Sequence, residues 1–219
     1  MSESEDPRFE YVDYYGNTPI FALQSVRRHG EFKSMNLLSI ACLRAHLVDY
    51  MSIFRSVHHV TMVETRLPIP PGPSFHMHQQ DFFSLPSLDV DCVISHAAIH
   101  CFNDTRYGNA PCADGFEKPY QVPAKLRQIT GQKKVPVIVS IAVNREEGFF
   151  DNNAHLAHDK FVAAFESSGF QLQDYFFDYL CGGIPPKPQY LDVEYRRSKN
   201  LPEATGSRWH YVIGNYYFY

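Results

Sequence analysis

The side chains best equipped for chemistry in this sequence are imidazoles and a few acids that follow apolar runs. His100 and His155 each lie next to a strongly apolar segment. Imidazole titrates near neutrality, so either could move a proton; either could equally tie down a loop or cap a helix. Glu64 closes the apolar run 59–64, where a strand-end carboxylate could accept hydrogen bonds from a ribose or simply face solvent. Asp81 could meet an adenine amino group or serve as a turn residue. Arg106 and Tyr107 fall in a long irregular stretch. There the planar guanidinium could clamp a substrate carboxylate or phosphate, or anchor the loop to backbone carbonyls. The histidine pairs 76/78, 96/100 and 155/158 have spacings that put two rings on one strand or helix face. Metal binding needs three or four converging ligands and no HExxH pattern is present, so no metal is expected.

These residues need a scaffold, and the apolar pattern supplies one. Residues 35–42 read as a buried first strand and 43–54 as an amphipathic helix. Residues 59–64 read as a second strand, and the proline-rich 68–73 as a loop, because proline lacks an amide donor. A short third strand within 75–83 and a fourth at 90–96 follow. Residues 103–120 form an insertion rich in turn residues. A helix over 122–130 stopped by Gly131, a central strand over 135–143, and a helix over 154–167 stopped by Gly169 come next. Aromatic-rich strands over 170–179 and 210–219 close the chain on either side of a loop at 182–207. Residues 1–20 read as an irregular arm. The order is that of one α/β domain with a mostly parallel sheet.

Composition sets further bounds. A chain of 219 residues that is 44% hydrophobic and 15% aromatic has enough apolar surface for one core. A formal net charge of -4 is not the footprint of nucleic-acid binding, so the expected partner is a small molecule. Five widely spaced cysteines without a CxxC pair, behind a polar start, point to reduced thiols and a cytoplasmic setting. No apolar stretch reaches the ~20 residues that span a bilayer.

The element order resembles class I S-adenosylmethionine-dependent methyltransferases. That likeness implies a Rossmann-like three-layer sandwich with an antiparallel late strand. Local segments over about 35–177 are similar to one family on that fold, a domain family known largely from nematodes and bacterial polysaccharide loci. Val60-Thr61-Met62-Val63-Glu64 is similar to its VTTVE strand and Arg106-Tyr107-Gly108 to its RYG signature. The segment from Ile94 to His100 is similar to its VSFSSIEH pattern, and Asn153-Ala154-His155 to its N-x-H motif. The resemblance implies S-adenosylmethionine as cofactor, held by Ser39, Ala41, Glu64 and Asp81. It further implies a small hydroxyl- or amine-bearing acceptor of carbohydrate type, held by Arg106 and Tyr107 and deprotonated by His100 or His155. One departure stands out. Methyltransferases of this fold carry a glycine-rich turn after the first strand, where a side chain would obstruct the cofactor. Here the turn reads Ser39-Ile40-Ala41-Cys42-Leu43-Arg44-Ala45. A non-catalytic binding or assembly module on the same fold therefore remains an alternative, as does a transferase or hydrolase of another class.

Overall fold

The run Val137–Asn144 is β-branched or small almost throughout and stays buried through Val143, without the alternation of a sheet that faces water on one side. In a computed structural model, which describes residues 35–40, 57–63, 75–78, 80–96, 98–103, 116–150, 153–181, 194–201 and 209–219, this run is the fifth strand, β5. Its companions are β1 (Met35–Ile40), β2 (Val57–Val63), β3 (Phe75–His78), β4 (Cys92–His96), β8 (Leu172–Cys181), β9 (Glu194–Ser198) and β10 (Trp209–Phe218), in the order β3-β2-β1-β4-β5-β10-β8-β9. The strands from β1 to β5 are parallel, and β10 runs antiparallel between β5 and β8. Two short strands, β6 (Gly148–Phe150) and β7 (Asn153–Ala157), form a hairpin whose second arm also pairs with the end of β5. The architecture is a Rossmann-like α/β fold with a late antiparallel strand.

Register sorts the residues into two faces. Leu38, Val93, Val137, Val139 and Ile141 lie on the face that packs with Val122, Leu126 and Ile129 of helix α1 (Glu117–Ile129) and with Phe161 and Phe165 of α2 (His158–Ser167). The i, i+4 pair Phe161 and Phe165 lies on β10, where Phe165 stacks on Phe218 with centroids 4.0 Å apart. Gly214 has a specific part in that packing. A Cβ there would come within 2.5 Å of the Tyr216 hydroxyl, so the missing side chain makes room for the tyrosine ring of the same strand.

Both helices end in a left-handed glycine. At α2, Gly169 (φ +84°) donates to the Glu166 carbonyl and Phe170 to that of Phe165, with the two phenyl rings 5.5 Å apart. This is the six-to-one and five-to-two pattern of a Schellman cap with its apolar contact. At α1, Gly131 and Gln132 donate in the same way to Gln128 and Arg127. Arg127 joins the two ends. Its guanidinium donates to the carbonyls of Ser168 and Gly169 and lies 4.0 Å from the Phe170 ring centroid. A cation on the last carbonyls of α2 also opposes that helix's dipole.

Several sequence expectations are corrected. Residues 153–157 form strand β7, not the start of a helix, because they pair with both β5 and β6; α2 begins only at His158. The first arm of that hairpin, β6, was not expected. Helix α1 starts at Glu117, inside the expected insertion, despite prolines at 119 and 123. Pro119 sits in the first turn, where no amide partner is needed, and both rings are buried. Strand β9 lies within the expected loop 182–207, held by five registered pairs with β8. The third strand is only four residues long, and 82–84 is a short 3-10 helix. The expected arm 1–20, helix 43–54 and loop 68–73 lie outside the described residues.

Replacing Arg127 by Met should lower unfolding free energy by about 1–2 kcal/mol, since it removes the charged donor from the carbonyls of Ser168 and Gly169. Gly169→Ala should cost about 1–2 kcal/mol through its left-handed backbone. Denaturant midpoints of the two variants check this; unshifted midpoints would contradict it.

Candidate functional site at the carboxyl edge of the sheet

Parallel strands that stop in register create a common edge. Ile40 at the end of β1 lies opposite Val63 at the end of β2 and opposite Ser95 of β4, and Val63 lies opposite His78 at the end of β3. The chain builds β1, β2 and β3 outward in one direction, then returns to place β4 on the other side of β1. The connections leaving β1 and β4 thus diverge, and such a reversal opens a crevice outside the carboxyl ends of the strands. Ala41 and Glu64 follow the registered pair Ile40 and Val63 directly in sequence. Both, with Arg106 and Tyr107, lie outside the described residues.

Two buried hydroxyls flank the reversal. Ser39 and Ser95 are each 1% exposed and stand on opposite faces of the sheet. Neither hydroxyl has a hydrogen-bond partner among the described residues. A buried polar group left in that state costs about 1–3 kcal/mol.

Asp81 follows β3 by three residues and caps the short helix Phe82–Ser84. Its Oδ1 accepts from the Phe83 amide at 3.1 Å, and its carbonyl accepts from the Ser84 hydroxyl at 2.7 Å. The side chain is exposed, so the turn role and a ligand role are compatible.

His100 belongs to a 3-10 helix, Ile99–Asn103, that follows β4. The registered ladder between β4 and β5 ends at His96 opposite Ser140. Two residues further along β5, the Ala142 amide donates to Nδ1 of His100 at 3.4 Å, so the ring takes over where the strand stops. A ring that accepts at Nδ1 carries its proton on Nε2, an assignment made from the hydrogen-bond geometry. His155 is on β7 opposite Gly148 and is 2% exposed. Its neighbour Leu156 enters the core, so His155 faces the other way. Strand β7 packs on the 3-10 helix that carries His100, and the two candidate imidazoles thereby come to the same end of β5. Among the described residues no three metal-binding side chains converge.

Sequence reasoning missed the role of His158. The expected helix would have paired it with His155; the strand–helix junction separates the two. The Nδ1 of His158 lies 2.9 Å from the Tyr216 hydroxyl, and its ring stacks on Tyr216 and meets Phe177 edge-on at 5.0 Å. The signal available in the sequence was the aromatic run 216–219, which has to pack against something.

Solved structures that this chain resembles share the fold. An S-adenosylmethionine-dependent methyltransferase from Leishmania major matches over 93% of this chain and 73% of its own, with a TM-score of 0.53 at 6% identity. One from Mesorhizobium loti matches over 92% and 98%, with a TM-score of 0.51 at 10% identity. The N-methyltransferase NodS from Bradyrhizobium japonicum, solved with S-adenosyl-L-homocysteine, matches over 91% and 84%, with a TM-score of 0.50 at 6% identity. No family model and no curated protein sequence matches the chain. At these identities the likeness establishes a methyltransferase-like fold.

The His158 environment has a measurable consequence. Burial, partly opposed by the charge of Asp159, holds its pKa below 6.5 in the folded chain. The unfolded chain therefore takes up this proton first as pH falls. Stability should decline as pH drops through 6.5 and level off once the folded ring has titrated. His158→Gln should flatten that part of the profile in denaturant titrations at stepped pH; parallel profiles for variant and parent would contradict the assignment.

Proposed function

We propose that the chain is a methyltransferase-like enzyme that binds S-adenosylmethionine at the carboxyl edge and transfers its methyl group to a small hydroxyl- or amine-bearing acceptor of carbohydrate type. The observation that carries this reading is the reversal of strand order between β1 and β4, with β1, β2 and β3 ending in register beside it. Glu64, next after that edge, holds the ribose hydroxyls. Asp81, exposed beyond β3, meets the adenine amino group. The turn after β1, with Ser39 and Ala41, lies against the amino-acid portion of the cofactor. When bound, S-adenosylmethionine supplies an electrophilic methyl group on a sulfonium.

The protein's own part is to align the acceptor and take its proton. Arg106 and Tyr107, in the stretch after the His100 helix, hold the acceptor. The Ala142 amide occupies the one lone pair that neutral His100 offers, so His100 acts as a donor through Nε2 and orients the acceptor. Proton removal then falls to His155. Swapping either ring separates the roles: His155→Gln should lower kcat at least about 10²-fold with the cofactor still bound, whereas His100→Gln should mainly raise KM for the acceptor.

A second reading is favoured by one feature, the absence of glycine from 39–45. In it the fold persists as a binding module without cofactor. Calorimetric titration of the folded chain with S-adenosylmethionine distinguishes the two. The enzyme reading expects saturable heat that weakens about 10- to 100-fold in Glu64→Ala, the worth of hydrogen bonds to a charged group. No heat at millimolar cofactor with the fold intact would leave the module reading.

A further inference from the structure

Strand pairing and helix direction bring two aromatic rings to the carboxyl rim. Strand β7 gives one edge to β5 and the other to β6, and it packs on the 3-10 helix that follows β4. The hairpin therefore stands beyond the carboxyl end of β4, with β6 as its outer arm. Helix α1 ends at the opposite rim, where the Leu88 amide donates to the Ile129 carbonyl and Lys133 bonds to Asp91 beside the start of β4. Its first turn is accordingly at the carboxyl rim. Phe149 of β6 lies opposite Ala154, on the hairpin face that Leu156 turns to the core. Its ring meets that of Phe116, the residue before α1, with centroids 5.1 Å apart and planes tilted by 44°.

Phe149 is 59% exposed and, among the described residues, is the one large hydrophobic side chain left so. A lone exposed phenyl needs no explanation; a tilted pair on the rim of a crevice is a surface that a ligand ring fits. Glu117, Arg145 and Glu146, all exposed, lie within four residues of the two phenylalanines in sequence. A pyranose suits both kinds of group. Its C–H bonds are weakly positive and meet the negative face of a phenyl ring, and its hydroxyls donate to carboxylates and accept from guanidinium. A flat hydrocarbon ring would use the phenyl groups and make nothing of the charged ones. We propose that Phe149, backed by Phe116, is the platform on which a neutral pyranose of the acceptor lies, with one face against the phenyl ring. This inference rests on the reading of the carboxyl rim as an acceptor site and adds a contact to it. Gly148, opposite His155, puts no side chain between the outer edge of the hairpin and the imidazole, so a hydroxyl reaching round that edge approaches the proposed base.

The test uses the full chain with S-adenosylhomocysteine present and the methyl glycosides of glucose, galactose and mannose as probes. Irradiating the aromatic protons of the protein should transfer saturation to the C–H protons of at least one glycoside, more strongly on one face of its ring than on the other. Phe149→Tyr should keep that transfer. Phe149→Leu, which stays apolar against Phe116, and Phe149→Ser should each weaken glycoside affinity about 3- to 10-fold, the worth of one ring face. The proposal is overturned if none of the three glycosides receives saturation, if Phe149→Leu and Phe149→Ser bind as well as the parent, or if phenol binds at Phe149 while the glycosides do not. Calorimetry with S-adenosylmethionine keeps the two readings apart. Cofactor heat without a glycoside signal removes the pyranose platform and leaves the enzyme; a Phe149-dependent glycoside signal without cofactor heat removes the enzyme and leaves the platform.

Discussion

A parallel sheet buried on both faces can be wound in only a few ways, and this constraint underlies the rest of the molecule. Parallel neighbours need crossovers, and the crossovers must return over one face or the other. Winding outward from β1 to β3 and then resuming at β4 on the other side of β1 leaves a divergence at the carboxyl end of β1. Neither a glycine nor a catalytic side chain is needed to create that crevice. The divergence follows from the strand order, whereas the chemistry at that edge depends on side chains that the strand order does not choose.

The other end of the sheet solves a different problem. Strand β10 has to enter between β5 and β8 against their direction and still match their helix-facing surface. Tyr216 does this by folding over Gly214, packing beside Phe161 and sharing a hydrogen bond between its hydroxyl and His158 at the start of α2. Arg127 secures the far end of the same helix. At the amino edge, Asp91 accepts from the Asn36 amide and from Lys133, linking the starts of β1 and β4 to the segment before β5. Burial works to raise the Asp91 pKa, but the bonds from Lys133 and Asn36 outweigh it and hold the carboxyl below its ordinary value. Polar fasteners thus lie at the margins, and the centre of the helix-facing side is almost wholly apolar.

Much of this was legible in the sequence because long apolar runs and terminal glycines are strong local signals. β5, Gly131 and Gly169 fall where periodicity and capping put them. The β6–β7 hairpin was not legible: Ala154, Leu156 and Ala157 suit a helix as well as a strand, and only pairing with β5 decides between them. The early start of α1 was hidden by prolines at 119 and 123, tolerated because α1 buries a full apolar face. Register was the least legible quantity. It sets Ile40 opposite Val63 on one side and Ser95 on the other, and so aligns the carboxyl ends of β1 and β2. In contrast, His100 was singled out by type and position, yet only the Ala142 contact reveals which nitrogen is engaged.

The central claim is that the carboxyl edge at the β1–β4 reversal is a nucleoside-binding crevice. Hydrogen exchange of the full chain with and without S-adenosylhomocysteine tests it most directly. The account predicts slowed exchange in the segments that follow Ile40 and Val63 and around the Asp81 turn. Unchanged exchange at all three, or protection confined to the amino edge around Asn36, Asp91 and Lys133, would contradict it.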